Sequence, residues 1–449
     1  MGNLVEVESV PASGGSERTL VRAIGPWALG ANAVNLTIGA GIFALPAVAA
    51  GILGPAAVLA YLICGVLILL VLACYVEVGT QVTRSGGAVA YIEEAFGPLA
   101  GFLAFVIYAV GFCAGADAAI AHVLLDAVAA GFPVLAGGVA RVVALVLLFG
   151  GLAAINVRGV RQGTRVAVAT TVAKLLPLLL LVALGIFAVH WPNVAWSRWH
   201  SPSELGAATL VLFFAFSGAE AALTPSGEIR DPARTVPRGM LGGAAAIVLL
   251  YLALQLVAQG VLGSELAAGT TTPLADVGQR LAGAGGRSLI VACTAVAVFG
   301  TLAADMICTP RAFFAASESG LLPPALSQVH PRFRTPWVSI LAFAAITLGL
   351  ALTGGFRALA VLASMALLLV YLAVCLAALR LRYTRPRVPG SFRAPGGPTV
   401  ALLASAVVLW VLGQSTRREI VAMVALVAVS TLYYVMRRRA KAVPAVADA

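Results

Sequence analysis

Apolar runs of about 20 residues recur along the whole chain, the length at which a helix crosses a ~30 Å hydrocarbon core. They fall near 27–52, 55–82, 98–128, 138–157, 166–189, 204–226, 239–263, 288–315, 336–353, 356–379, 397–416 and 418–436. Each reads as a membrane-spanning helix, twelve in all, with no stretch left over for a soluble domain.

Two of these spans carry residues that break helices. The first contains Asn35-Leu36-Thr37-Ile38-Gly39-Ala40-Gly41-Ile42-Phe43 and then Pro46; the sixth contains Phe213-Phe214-Ala215-Phe216-Ser217-Gly218-Ala219-Glu220 and then Pro225. In a membrane helix such residues are tolerated where the freed backbone groups find partners or line a cavity. Gly39 to Gly218 and Pro46 to Pro225 are both 179 positions apart. If spans 1–5 form one unit (27–190) and spans 6–10 the next (204–380), the odd number of crossings inverts the second unit. Corresponding interruptions in two inverted halves point to the binding site of a secondary transporter. A half-helix N-terminus offers free N–H groups and partial positive charge to a carboxylate, and unwound carbonyls accept from an ammonium. The alternative is that Gly39 and Gly41 only let helices pack closely.

Composition agrees with a membrane-embedded chain. Of 449 residues, 61% are hydrophobic and 10% charged, with mean hydropathy +1.00; soluble domains carry about 25% charged residues. The net charge of +11 would suit nucleic acid, but its distribution argues otherwise. With the N-terminus inside, inner segments hold 21 Lys/Arg and outer segments 7, the positive-inside bias. No nucleic-acid partner is expected. The opening residues are polar (Glu6, Glu8, Glu17, Arg18, Arg22) and lack an apolar cleavable segment, which favours a short cytoplasmic tail at 1–26 over a signal peptide; 437–449 reads as a second cytoplasmic tail. The six cysteines (Cys64, Cys74, Cys113, Cys293, Cys308, Cys375) sit in apolar runs and read as free buried thiols rather than a disulfide framework.

Four ordered blocks carry a family likeness. Ile38-Gly39-Ala40-Gly41-Ile42-Phe43 is similar to the first-helix signature of amino acid–polyamine–organocation permeases. Ser85 to Tyr91 with Phe96 to Gly101 resembles their loop between helices 2 and 3. Phe214 to Glu220 followed by Glu228 to Arg238 resembles their sixth helix and the loop after it. Thr309-Pro310-Arg311 through Pro323, then His330 to Pro336, resembles the end of their eighth helix. The resemblance implies an all-α polytopic fold with a five-plus-five inverted repeat, broken helices 1 and 6, two further helices at 397–436, and alternating access. It implies that Gly39, Ala40 and Gly41, flanked by Ile42, receive the substrate α-carboxylate. Carbonyls around Ile38 and around Phe214, Ala215, Phe216 and Ser217, beside Gly218, would take the α-amine, with Phe214 as an aromatic lid. Lys174 sits where some members carry a lysine in place of a sodium ion.

Ionisable groups at mid-bilayer cost about 2.5–3.5 kcal/mol on insertion scales, so each needs a role. Lys174 is one of two lysines; the other is Lys441. Burial disfavours a charged ammonium, which would suit a proton cycle; the alternative is a structural charge held by carbonyls of the first and eighth spans. Glu220 reads as a hinge and network residue or a direct ligand. Asp117 and Asp305 would pair with Lys174 or an arginine, or face the cavity and bind a cationic side chain. His122 and Asp126 stand one turn apart and read as a local pair. Trp191, Trp196 and Trp199 share an outer loop and read as interfacial anchors.

Other classes lack their marks. There is no GxxxxGK[ST] for a primary pump, no HExxH or GxSxG for a membrane enzyme, and no repeated filter loop for a channel. The reading is a secondary transporter in a bacterial inner membrane, both termini cytoplasmic, with no metal or organic cofactor and a proton as coupling ion. Its substrate would be a small or neutral amino acid, the pocket of Phe214, Ala215, Phe216 and Cys113 being small and apolar; Asp117, Asp305 and Glu220 pull toward a cationic amino acid or polyamine. A transporter-like sensor is the reading from another class. The heteromeric branch of the family links its partner through an outer cysteine, and none stands in an outer loop here, so a monomer or homodimer is expected.

Overall fold

The computed structural model describes residues 24–82, 86–129, 131–159, 164–196, 198–224, 229–386 and 391–442. The two expected tails fall largely outside these residues, with Glu6, Glu8, Glu17, Arg18 and Arg22, as do Ser85, Pro225 and Glu228.

Among the described residues the chain is helical, with one isolated parallel bridge between Ile24 and Ile229. The helices are α1 (Pro26–Thr37), α2 (Gly41–Leu53), α3 (Ala57–Gly79), α4 (Gly87–Phe96), α5 (Pro98–Val106), α6 (Gly115–Ala129), α7 (Gly138–Arg158) and α8 (Thr164–Gly185). There follow α9 (Pro202–Leu212), α10 (Pro232–Leu262), α11 (Pro273–Glu318), α12 (Trp337–Thr353), α13 (Phe356–Thr384), α14 (Pro398–Leu412) and α15 (Arg417–Ala442). Among the described residues, eight segments are long and apolar enough to cross a membrane, from Gly41–Gly79 to Arg417–Arg438, and Ala173–Ala188, Trp337–Thr353 and Pro398–Leu412 are shorter apolar helices.

Local sequence explains most of the joints. Ser201 and Glu204 form a reciprocal capping box at the start of α9, satisfying two donors that a helix N-terminus leaves open. The loop expected between the second and third spans is itself helical, as α4, and α5 follows directly from Gly97 at φ 92°. α11 bends at Ala282 and Gly283, which leave helical geometry. Between α5 and α6, Ile107–Ala114 forms a π-helix, a widened turn of the kind found at functional sites; the apolar pattern did not announce it.

The first helix leans on α10 through small residues. A Cβ on Gly243 would stand 2.9 Å from the Gly30 carbonyl oxygen, so these backbones approach as small residues allow in membranes. Elsewhere a buried ion pair ties helices distant in sequence. Glu77, at the end of α3, accepts two hydrogen bonds from Arg382 of α13 (2.7 and 2.8 Å) and one from the Ala394 N–H (2.9 Å). With both side chains almost fully enclosed, removing one partner strands the other charge, at a cost of about 3–5 kcal/mol.

Two local expectations change. Cys308 is exposed while the other five thiols are buried, because its side of α11 is not covered. His122 and Asp126 are joined through Arg141 rather than to each other: the guanidinium reaches Asp126 Oδ1 at 2.7 Å and His122 Nδ1 at 3.0 Å, and His122 Nε2 sits 3.0 Å from the Ala351 carbonyl. Arginine from α7 outcompetes a weak histidine–carboxylate contact. Trp191 and Trp199 are strongly exposed, and Trp196 moderately.

Candidate functional site

The chain is interrupted twice at the middle of the bundle, and the two interruptions touch. α1 ends at Thr37; Ile38 and Gly39 are non-helical, and α2 starts at Gly41 with Ala40 as its N-cap. The N–H groups of Ala40, Gly41 and Ile42 open α2, where no preceding turn supplies their acceptors. After α9 the chain tightens to a 3-10 turn over Phe213–Phe216, extends at Ser217 (ψ 154°), turns left-handed at Gly218 (φ 110°) and resumes as a 3-10 turn over Ala219–Leu223.

Glycine permits the contact on both sides. A Cβ on Gly218 would stand 2.7 Å from the Leu36 carbonyl oxygen, and one on Gly41 would stand 2.8 Å from Ala215 Cα. Gly39 differs: it is half-exposed between buried neighbours, and the nearest atom to a Cβ there would be Thr301 Oγ1 of α11, at 3.9 Å. Gly41 is therefore required by packing against Ala215, whereas Gly39 faces the open side of the break.

Carbonyl partners divide the unwound backbone into taken and free groups. The Thr37 carbonyl accepts from the Gly39 N–H (2.8 Å) and from the Tyr251 hydroxyl of α10 (3.1 Å). The Phe214 carbonyl accepts from Ser217 Oγ (2.7 Å). Ala215 is pressed on Gly41. Phe216 is fully buried, edge-on to Tyr61 and Tyr251, and its ring belongs to the packing behind the break. Phe214 is buried and edge-on to Phe356 at the start of α13.

Glu220 holds the second break together. Its Oε2 accepts from the Gly218 N–H (3.0 Å) and from the Tyr371 hydroxyl of α13, while Oε1 is buried without a partner among the described residues. Lys174 of α8 braces the first break: Nζ donates to the Asn35 carbonyl at 2.6 Å. It pairs with neither aspartate, contrary to one expectation; the ammonium goes to a carbonyl near the open end of α1. Asp305 instead accepts from Thr309 Oγ1 (2.6 Å) with the Cys113 thiol against it, and Asp117 is buried with Oδ2 unpartnered among the described residues. Neither aspartate forms an ion pair among the described residues.

A family model described as amino acid permease matches residues 24–436. The chain belongs to the amino acid permease family. Its curated relatives include the methylthioribose transporter of Bacillus subtilis (strain 168), 28% identical over 443 residues that cover 94% of each chain. The serine/threonine exchanger SteT of the same organism is 28% identical over 85% of this chain and 88% of its own. The large neutral amino acids transporter small subunit 2 of Mus musculus is 26% identical over 86% of this chain and 75% of its own. The permease is thus a membrane-embedded transporter of small molecules and not an enzyme.

Two contacts in this permease carried no sequence signal. Tyr251 reaches the Thr37 carbonyl across 214 positions and Tyr371 reaches Glu220 across 151. A tyrosine in an apolar run reads as ordinary packing until its hydroxyl is seen to end on a broken helix.

Proposed function

We propose that the permease carries an amino acid across the bilayer by alternating access, gripping the substrate backbone between its two breaks. The α-carboxylate would meet the open N–H groups of Ala40, Gly41 and Ile42, where the helix dipole favours negative charge. The α-amine would take carbonyls of the unwound segments, Ile38 on one side and Ala215 or Phe216 on the other, the Phe214 carbonyl being engaged by Ser217. The observation that carries this reading is the interlock itself, Gly41 on Ala215 and Gly218 on Leu36. Two broken helices in mutual contact let one substrate bridge both, and a rocking motion that parts them opens the site.

The same proposal takes the chain to cross the membrane twelve times, with inverted repeats at 27–190 and 204–380 and a final pair at 397–436, both ends in the cytoplasm of a bacterium, as monomer or homodimer. It makes transport inward and proton-coupled, with Lys174 as the coupling group at the end of α1. The relatives' names span serine and threonine, large neutral amino acids and methylthioribose; they support an amino-acid-like solute without selecting its side chain. The small apolar surroundings of Phe214 favour a small or neutral one, and the unpaired aspartates favour a cationic one.

The test is a thermal-shift screen of the purified permease with the twenty amino acids, their amides and their N-acetyl forms, followed by uptake into proteoliposomes. A ligand that binds the folded state raises Tm with its saturation. Stabilisation lost on blocking either backbone group is the expected result; full stabilisation by an amide or N-acetyl form sinks the backbone grip. Binding with negligible flux would make the protein a sensor.

A further inference from the structure

Among the described residues, two carboxylates stand inside this bundle without a cation. Asp117 is 2% exposed and Asp305 is half-buried, and they are close enough for their charges to repel. Lys174, the partner the sequence suggested, is engaged on the Asn35 carbonyl, and Arg311, six residues after Asp305, on the Ile307 carbonyl. An enclosed carboxylate without a counter-charge is costly, and two together are worse because like charges disfavour each other's ionisation.

Helix register places both acids beside the break. Phe105 meets Phe313 edge-on at 5.6 Å, and eight residues further on Cys113 lies against Asp305 and Thr309. The third and eighth spans therefore run antiparallel here. One more turn brings Asp117 level with Thr301 and Asp305, and Thr301 is the residue that faces Gly39.

The α11 face that holds Asp305 changes character at this level. Ile290, Thr294 and Ala297 are buried on it, whereas Thr301 and Asp305 are half-exposed and Cys308 is exposed. Exposure on this side of α11 thus begins at the level of Thr301, beside the open side of Gly39. From Thr301 to Asp305 is four residues, roughly 6 Å of helix rise, the reach of a side chain of three or four methylenes.

We propose that Asp117 and Asp305, with the Thr309 hydroxyl orienting Asp305, form the side-chain subsite of the permease and take the ammonium or guanidinium of a cationic amino acid. This rests on the backbone grip proposed above. A cation supplied by the substrate neutralises the pair when the site is occupied. It leaves with the substrate, so the acids need no permanent partner. Cys113, on the π-helix, fills the space beside Asp305 without adding a charge.

The experiment compares lysine and ornithine with norleucine, the lysine isostere lacking the ammonium, in thermal-shift and uptake-competition assays on the wild-type permease. Lysine or ornithine should act at roughly tenfold or more lower concentration than norleucine, the effect of one hydrogen bond to a charged group. In Asp117→Asn and Asp305→Asn the ratio should collapse toward one. Norleucine acting as well as lysine on the wild type overturns the cationic subsite and leaves the backbone grip standing; the pair would then share a proton. If neither these ligands nor any of the twenty amino acids acts, the backbone grip fails too. The wild-type comparison requires no variant to fold.

Discussion

Gly39 and Gly41 are two positions apart, yet a single methyl added to each should act through different physics. At Gly41 the new Cβ would stand 2.8 Å from Ala215 Cα and 3.0 Å from its Cβ, against about 3.5–4.0 Å for an unstrained carbon contact. Both breaks sit on packed helices, so the overlap of roughly 0.5–1 Å must be relieved by parting the two unwound segments. Overpacking of this kind costs about 1–3 kcal/mol. Gly41→Ala should therefore lower the Tm of the empty permease, with any uptake loss following from misplaced breaks. At Gly39 the nearest atom to the new Cβ is Thr301 Oγ1 at 3.9 Å, an ordinary contact, and the backbone angle suits any L residue. Gly39→Ala should fold with wild-type Tm and lose affinity for substrate, because the methyl occupies the side from which the substrate backbone approaches. The assay pairs thermal unfolding of the empty, purified variants with concentration-dependent uptake in proteoliposomes. A Gly39→Ala protein with wild-type KM would refute the placement of the substrate at this break. A Gly41→Ala protein with wild-type Tm would refute the packing argument.

Two other outcomes follow from the same geometry. Gly218→Ala should be more damaging to the fold than Gly41→Ala, since it adds a left-handed backbone strain of about 1–3 kcal/mol to a Cβ 2.7 Å from the Leu36 carbonyl oxygen; a wild-type Tm for this variant would show that the two breaks are looser than described. Lys174→Ala should abolish the pH dependence of uptake while exchange persists, and an unchanged pH profile would remove Lys174 from the coupling mechanism.

The apolar run lengths and the positive-inside bias identified a membrane-embedded helical chain, because burying backbone in hydrocarbon leaves few alternatives to the helix. Gly39-Ala40-Gly41 and Ser217-Gly218 marked the interruptions for an equally local reason: glycine and small residues leave backbone groups unshielded, and at Gly218 a left-handed φ is needed. The four family-like blocks pointed to permeases, and the match over residues 24–436 bears that out.

Partnership was not legible in the same way. Sequence distance gave no means of seeing that Lys174 would end on the Asn35 carbonyl rather than on Asp117 or Asp305, that Arg141 would stand between His122 and Asp126, or that Cys308 would lie open on α11. Each depends on the rotation of a helix about its axis, where one residue of slip moves a side chain by about 100°. That rotation is set by the sum of contacts with several neighbouring helices. Sequence by itself determined that the chain spans a membrane, where its helices break and which charged groups need a reason. The tertiary structure decided which charges meet, which glycine is filled by a neighbour and which is left facing open space.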